Sequence, residues 1–479
     1  MPDPKRLILC LCLTLLGTSS ALAADRPNVV LIVADDLGWN AVGYHDGFAQ
    51  TPHIDRIARE GVVLEHFYVS PMCSPTRAGL MTGRYPIRFG MARTVVRPWE
   101  DAGLPPAELT LAERLGDAGY EHRGAFGKWH LGHLRPDWHP LMQGFTEFKG
   151  HYNGAEDYWT HRREGELDWH VGDEPLEEEG YQTDLVGTAA CDFIRRHAEA
   201  DEPFFAYVPF MAPHDPFQVP EDRIVPLENE DDEAAGDGRQ RKRRLAAMIS
   251  VLDDNIGRIL TTLDETGVRG NTLIVFMSDN GGVGGIEGNN TPLRGNKLTT
   301  WEGGIRVPAA VWWPGHVEGG RTVDGYLSNL DVLPTVLAAV GSPIEDAVDG
   351  INALPILEGD APVPPRELYA YHGQDGPERE WLSLHSEDGW KLLIRGPDIR
   401  REDAWRTDRH EVALFRILDD PNETQDLAAE RPDVVQRLGD KLVEHRRLQP
   451  DDGINGANQK PADFVVPKQW RNTIPKASD

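Results

Sequence analysis

Asn28-Val29-Val30-Leu31-Ile32-Val33-Ala34 is a near-continuous apolar, β-branched run that stops abruptly at Asp35-Asp36-Leu37-Gly38. Such a run marks a strand buried on both faces, as in a parallel sheet, because a half-exposed strand would alternate. Asn271 to Met277 (NTLIVFM) repeats the character and also stops at polar residues, Ser278-Asp279-Asn280-Gly281-Gly282. Working outward, Val62 to Val69 reads as a strand, and Tyr120 to Phe126 as a weaker one that ends in Gly127-Lys128-Trp129-His130-Leu131-Gly132. Pro203 to Phe210 is a further strand, leading to Ala212-Pro213-His214, and Val307 to Trp313 lies in a β-rich segment. Helical patterns separate these runs: Thr51 to Glu60, Leu109 to Ala118, Thr183 to His197, Arg243 to Glu265 and Asp331 to Val340. That alternation predicts an α/β fold, a large and mostly parallel sheet sandwiched by helices.

Residues 133–180 are rich in His, Trp, Tyr and acids with little periodicity, and read as a substrate-facing insertion. Glu228 to Glu233 reads as a solvated acidic loop. Ala361-Pro362-Val363-Pro364-Pro365 is the best linker candidate. Short strand patterns follow (Glu367 to Tyr371, Trp381 to His385, Trp390 to Ile394, Ala413 to Ile417), then a closing helix from Pro432 to His445. The expected division is a catalytic domain over 24–362 and a smaller C-terminal antiparallel α+β subdomain over 363–479. The tail from Gln449 is expected to lie extended on the surface.

Residues 1–23 have the form of a secretory signal peptide: Lys5 and Arg6, the apolar Leu7 to Leu16, then Ala21-Leu22-Ala23 as a cleavage site. A secreted or periplasmic protein is expected after cleavage near Ala23, with no membrane anchor, since no later stretch is long enough to span a bilayer. The formal charge of −29 argues against nucleic acid or anionic membrane as partners and requires any anion site to be a local basic pocket. Of four cysteines, Cys10 and Cys12 lie in the leader. Cys191 sits in a helical pattern as a small core residue, which leaves Cys73 to be explained.

Cys73 opens Cys73-Ser74-Pro75-Thr76-Arg77, and Pro75 suits the first turn of a helix. Cys73 is thereby set at a helix N-terminus, where free N–H groups and the dipole favour negative charge, with Arg77 one turn on along the same face. In open parallel sheets, ligands bind at the carboxyl ends of strands. One pole would collect Asp35, Asp36, Lys128, His130, His214, Asp279 and Asn280 beside Cys73 and Arg77. Asp35, Asp36, Asp279 and Asn280 offer only oxygen, which suits Ca²⁺ or Mg²⁺ rather than zinc. Taken singly, each has a plainer reading: strand-end capping for the acids, a solvated loop for Lys128 and His130, a turn for His214. Pro292-Leu293-Arg294-Gly295-Asn296-Lys297 reads singly as surface charge.

Together the motifs resemble those of the type I sulfatases of the alkaline-phosphatase-like superfamily, and among them the arylsulfatase B (N-acetylgalactosamine 4-sulfatase) type. The resemblance rests on Asp35-Asp36-Leu37-Gly38, Cys73 to Arg77 with Thr82-Gly83-Arg84, and Gly127 to Gly132. It also rests on Ser278 to Gly282, Pro292 to Lys297 with Glu302-Gly303-Gly304-Ile305-Arg306, Gly154-Ala155-Glu156-Asp157-Tyr158, and Asp420-Pro421-Asn422-Glu423 with Asp426-Leu427-Ala428. It implies that a formylglycine-generating enzyme converts Cys73 to Cα-formylglycine, and that one Ca²⁺ is bound by Asp35, Asp36, residue 73, Asp279 and Asn280. It further implies hydrolysis of a sulfate ester, of a sulfated carbohydrate or an aryl sulfate, through a formylglycine hydrate nucleophile and a sulfo-enzyme intermediate. Arg77 would assist the nucleophile, Lys128 and Lys297 would hold sulfate oxygens, His130 would accept a proton as sulfate departs, and His214 would protonate the leaving oxygen. Animal enzymes of the arylsulfatase B type carry disulfides; this chain departs there. The alternative reading is a phosphonate or phosphate monoester hydrolase of the same superfamily.

Overall fold

The computed structural model describes the chain except residues 1–25, 201, 226–235, 287, 345–346, 377, 398, 401–407, 452, 455–459 and 476–479. The expected leader and the acidic loop at 228–233 fall outside the described residues. The strands are β1 (Asn28–Ala34), β2 (Val62–Tyr68), β3 (His122–Lys128), β4 (Glu147–His151), β5 (Arg162–Arg163), β6 (Glu166–Leu167), β7 (His170–Val171), β8 (Glu174–Pro175), β9 (Phe204–Pro209), β10 (Thr272–Ser278), β11 (Ala309–Trp312) and β12 (Arg321–Ser328). All but the β5–β6 pair join one ten-stranded sheet in the order β12-β2-β11-β10-β1-β9-β3-β4-β7-β8. Its middle, β10-β1-β9-β3-β4, is parallel.

The helices are α1 (Pro52–Glu60), α2 (Cys73–Thr82), α3 (Leu111–Asp117), α4 (Gln182–Ala200), α5 (Asp237–Glu265), α6 (Glu302–Ile305), α7 (Val332–Ala339), α8 (Leu354–Glu358) and α9 (Pro432–Arg446). Alternate residues of β1 feed two separate cores. Val30, Ile32 and Ala34 pack with α1, α4 and α5, while Val29, Leu31 and Val33 face the side of α2, α3, α7 and α8. This is why the strand shows no polar alternation: every residue of β1 and β10 is buried. Helices therefore cover both faces, as expected.

A second sheet, β13 (Leu368–His372), β14 (Glu380–His385), β15 (Trp390–Gly396) and β16 (Glu411–Arg416), is antiparallel in chain order, with α9 packed on it. Cys73 and Cys191 are both buried free thiols. Among the described residues, no helix is long and apolar enough to cross a membrane.

Three expectations need correction. The insertion at 133–180 contributes β4 to the main sheet, and its Trp169, Tyr152, Tyr158, His139, His151 and His170 are fully buried. These rings pack on one another, Tyr152 stacking on Phe148 and His170, while Trp159 of the same segment stays exposed. The tail is not confined to the surface, because Trp470 and Asn472 are buried against the insertion. Finally, α5 starts at Asp237, six residues ahead of its apolar pattern.

Candidate active site

The parallel strands β1, β3, β9 and β10 deliver their C-terminal residues to one pole, and α2 begins there. Met72 is extended at φ −154°, Cys73 is the first helical residue, and all ten residues of α2 are buried. Cys73 Sγ lies 3.4 Å from Asp35 Oδ1, its thiol directed at the carboxylate. Arg77, fully buried, donates from Nε and Nη2 to Asp279 Oδ2 at 3.0 and 2.8 Å, and from Nη1 to the Lys128 carbonyl at 2.9 Å. Lys128 Nζ meets Asp35 Oδ2, and Lys297 Nζ lies 2.5 Å from Asp36 Oδ1. Three buried carboxylates thus face two buried cations, Arg77 and Lys128, and the half-buried Lys297 around residue 73, the balanced arrangement that burial of charge demands.

Backbone geometry creates part of this convergence. Asp36 adopts φ 66°, which turns the chain immediately after Asp35 so that both carboxylates remain at the pole. The Asp36 N–H donates to Asp279 Oδ1 at 3.2 Å, and the Leu37 N–H to Ser278 Oγ at 3.0 Å, lacing β1 to β10. Asn280 Nδ2 donates to Asp36 Oδ1 at 2.7 Å. His130 is not extended as its spacing with Lys128 implied; it has φ 58°. Its ring is fixed by Nε2, 3.0 Å from the Val96 carbonyl, leaving Nδ1 buried without a partner. A Cβ at Gly154 would sit 2.5 Å from this ring, so the glycine of the Gly154–Tyr158 motif is required by the close approach. His214 Nδ1 contacts the Asp215 carbonyl at 2.5 Å, and Nε2 lies 3.6 Å from Asp36 Oδ2.

Electrostatics follow from burial and from these pairs. Burial opposes ionisation of Asp36, but Lys297, His214 and Asn280 outweigh it and hold the carboxyl well below its usual range. Burial and the Asp35 charge push Asp279 up to about 6 against the pull of Arg77. Burial, aided by Asp35, pushes the Cys73 thiol up, so the site does not favour a resting thiolate. Burial together with Lys297 lowers His214 to about 4, and burial with Lys128 and Arg77 lowers His130 further.

Every residue singled out from the sequence therefore lies at this pole. A hard cation fits it: Asp36 Oδ2 and Asn280 Oδ1 are buried without a hydrogen-bond partner, next to further carboxylate oxygens. Asp35, Asp36, Cys73 and His214 each bring one ligand atom within 4.8 Å of the others. His214 is thus an additional neighbour of the cation position, whereas Asp279 spends its oxygens on Arg77 and the Asp36 N–H. Two serines without a signal in the sequence support these residues. Ser74 Oγ donates to the His130 carbonyl at 2.8 Å and accepts the Val96 N–H at 3.1 Å, and Ser278 Oγ bridges Leu37 and Asn280. Both stand inside quoted motifs, but no periodicity marks such a bond.

Residues 27–342 match the sulfatase family model, and residues 296–448 match that of the N-sulphoglucosamine sulphohydrolase C-terminal region. The chain is 36% identical over 368 residues to human N-acetylgalactosamine-6-sulfatase, covering 71% of this chain and 67% of that protein. It also resembles the crystal structure of Ps i-CgsB in complex with k-i-k-neocarrahexaose (TM-score 0.80, 28% identity), over 90% of this chain and 95% of the other. The phosphonate monoester hydrolase of Agrobacterium radiobacter, at 22% identity and TM-score 0.63, covers 90% of this chain and 97% of its own, a likeness of fold alone.

Proposed function

The chain belongs to the sulfatase family and is a sulfuric ester hydrolase; on that premise we propose that it is an exported enzyme removing an O-sulfate from a sugar of a sulfated glycan. The observation that carries this reading is the convergence of Asp35, Asp36, Asp279 and Asn280 with Arg77, Lys128 and Lys297 on Cys73 at the start of α2. The relative named N-acetylgalactosamine-6-sulfatase supports a 6-sulfate as the substrate, where the motif resemblance pointed to the 4-sulfate. The Ps i-CgsB complex with k-i-k-neocarrahexaose favours an oligosaccharide as the carrier of that sulfate.

Cys73 is proposed to mature to formylglycine, whose hydrate supplies one hydroxyl that attacks and carries the sulfo group and a second whose deprotonation expels sulfate and restores the aldehyde. Ca²⁺ would be held by Asp35, Asp36, Asp279 and Asn280 beside residue 73, and would supply positive charge where the sulfate oxygens gather. Arg77 holds Asp279 in place and adds a fixed cation beside residue 73. Lys128 and Lys297, now paired with Asp35 and Asp36, are the amines free to transfer their hydrogen bonds to an incoming sulfate. His130 would take a proton at Nδ1, its unpartnered nitrogen, and His214 would work at Nε2, the nitrogen facing the pole.

The test is a desulfation screen with defined 4-sulfated and 6-sulfated oligosaccharides, alongside aryl sulfate and aryl phosphonate esters. Release of sulfate from a 6-sulfated sugar is expected; hydrolysis of phosphonates with none of sulfates would favour the alternative hydrolase. Mass spectrometry of the peptide spanning residue 73 in active enzyme should show loss of the thiol mass. Full activity with an intact Cys73 would refute the maturation.

A further inference from the structure

Glu302, the first residue of α6, is fully buried, and both its carboxylate oxygens are taken. Oε1 accepts from His385 Nε2 at 2.7 Å and from Lys391 Nζ at 2.8 Å, and Oε2 from the Tyr68 hydroxyl at 2.9 Å. Lys391 Nζ also lies 2.7 Å from Glu423 Oε1, while Glu423 Oε2 accepts the Glu302 N–H at 2.9 Å. Glu302, Lys391 and Glu423 side chains have no exposure at all, and His385 1%. His385 and Lys391 belong to β14 and β15, and Glu423 follows β16. Two of the five groups thus come from the C-terminal sheet and a third from just beyond it, while Tyr68 belongs to β2 of the main sheet and Glu302 to α6.

An ion network buried this deeply is a poor way to gain stability, since apolar side chains of similar volume often hold two layers as well or better. What directed bonds provide instead is one fixed relative position, provided every member is satisfied. The element fixed here is the loop 294–303. Its stem is closed by the Gly303 N–H on the Arg294 carbonyl at 2.7 Å, and Arg294 Nη1 donates to the Glu423 carbonyl at 3.0 Å. Arg294 also lies 3.7 Å over the Trp301 ring, which meets Phe415 of β16 edge-on. The loop's far side carries Lys297, whose N–H donates to the Gly282 carbonyl at 3.1 Å and whose amine reaches Asp36.

We propose that Lys391, Glu423 and His385 are positioning residues for Lys297: the C-terminal sheet holds the loop that presents this amine to the sulfate. The proposal rests on the reading of Lys297 as a sulfate-binding group. It gives the C-terminal sheet a part in turnover that runs through Lys297.

The experiment compares Lys391→Met, and the charge-compensated pair Lys391→Met with Glu423→Gln, in the metal-loaded enzyme. The readouts are KM and kcat on an aryl sulfate and the inhibition constant of inorganic sulfate. Lys391→Met leaves Glu302 and Glu423 without their cation, so if it does not fold the compensated pair carries the test. Expected is a rise in KM and in the sulfate inhibition constant of about 10-fold, within the range known for groups that orient a binding residue, with Lys391→Arg restoring most of it. In a Lys297→Ala background the same change should cost less than about 2-fold, because a residue that acts through Lys297 has nothing left to position. Losses that multiply in that background, or a folded variant with wild-type KM and sulfate inhibition, would overturn the proposal. Lys297→Ala alone retaining wild-type sulfate affinity would refute the reading of Lys297 instead, which keeps the two failures apart.

Discussion

His130 and His214 approach residue 73 from different strand ends, and each has one ring nitrogen already committed: Nε2 of His130 to the Val96 carbonyl, Nδ1 of His214 to that of Asp215. In the proposed mechanism His214 serves the first half of the reaction and His130 the second, and the variants below test that split. His214→Ala is expected to slow sugar sulfates by about 10²–10⁴-fold and nitrophenyl sulfate far less, because a nitrophenolate departs without a proton and a sugar alkoxide does not. His130→Ala should instead show an initial burst of alcohol product followed by slow turnover, read by rapid-quench kinetics. Equal losses on both substrate types for His214→Ala, with no burst for His130→Ala, would reverse the assignment. Most of this site was legible because Asp35, Asp36, Lys128, His130, His214, Asp279 and Asn280 stand at or within a few positions of the end of a recognisable apolar strand, which Arg77 in α2 and Lys297 in its loop do not. What was not legible is how the groups are held. The Ser74 hydroxyl bonds a carbonyl 56 positions away, and the left-handed turns at Asp36 and His130, residue types that tolerate that region, leave no mark in the apolar pattern.

The elements show where hydrophobic patterning is informative and where it is blind. β1 and β10 announced themselves because both faces are buried, whereas the two-residue strands β5 to β8 are too short to carry a period. Patterning is also indifferent to direction, so the antiparallel setting of β11 between β10 and β2 had no signature. Helix ends divide in the same way. α3 starts with a capping box of Thr110 and Glu113 that can be read locally. α1 has no cap of its own; Asp253 of α5 accepts the N–H groups of His53 at 3.1 Å and Ile54 at 2.8 Å. Burial, reinforced by Asp55 and Asp254, pushes the Asp253 carboxyl up to about 7 despite those bonds. Its folded state therefore binds a proton more readily than the unfolded chain, so this group's contribution grows as pH falls from about 7 towards 4 and is flat above 7. Asp253→Asn removes that titration while keeping an acceptor oxygen. The stability of the variant relative to wild type should be greater at pH 8 than at pH 4, by on the order of 2 kcal/mol, read from denaturant midpoints. The opposite ordering would mean that the cap's N–H groups outweigh burial.

At the scale of the whole molecule, the chain closes on itself through its tail. Trp470, 1% exposed, donates from Nε1 to the Arg163 carbonyl across 307 positions and meets the His133 ring edge-on at 5.3 Å. Beside it the Gln469 carbonyl lies 3.0 Å from His170 Nε2, and Asn472 Nδ2 donates to the Arg135 carbonyl. His133 in turn holds the Pro98 carbonyl through Nε2, two residues beyond the Val96 carbonyl that orients His130. A path of contacts thus joins the tail, expected to lie extended on the surface, to the site. Trp470→Ala should lower unfolding stability by about 3–5 kcal/mol, the range for a buried aromatic truncated to alanine. Trp470→Phe, which keeps most of the packing and loses one neutral hydrogen bond, should cost about 1 kcal/mol. If the contact path matters for turnover, Trp470→Ala will also reduce kcat at a temperature where the variant remains folded, and His130→Ala will make that reduction vanish. A loss of stability with kcat unchanged would show that the tail seals the insertion and has no hold on the histidine.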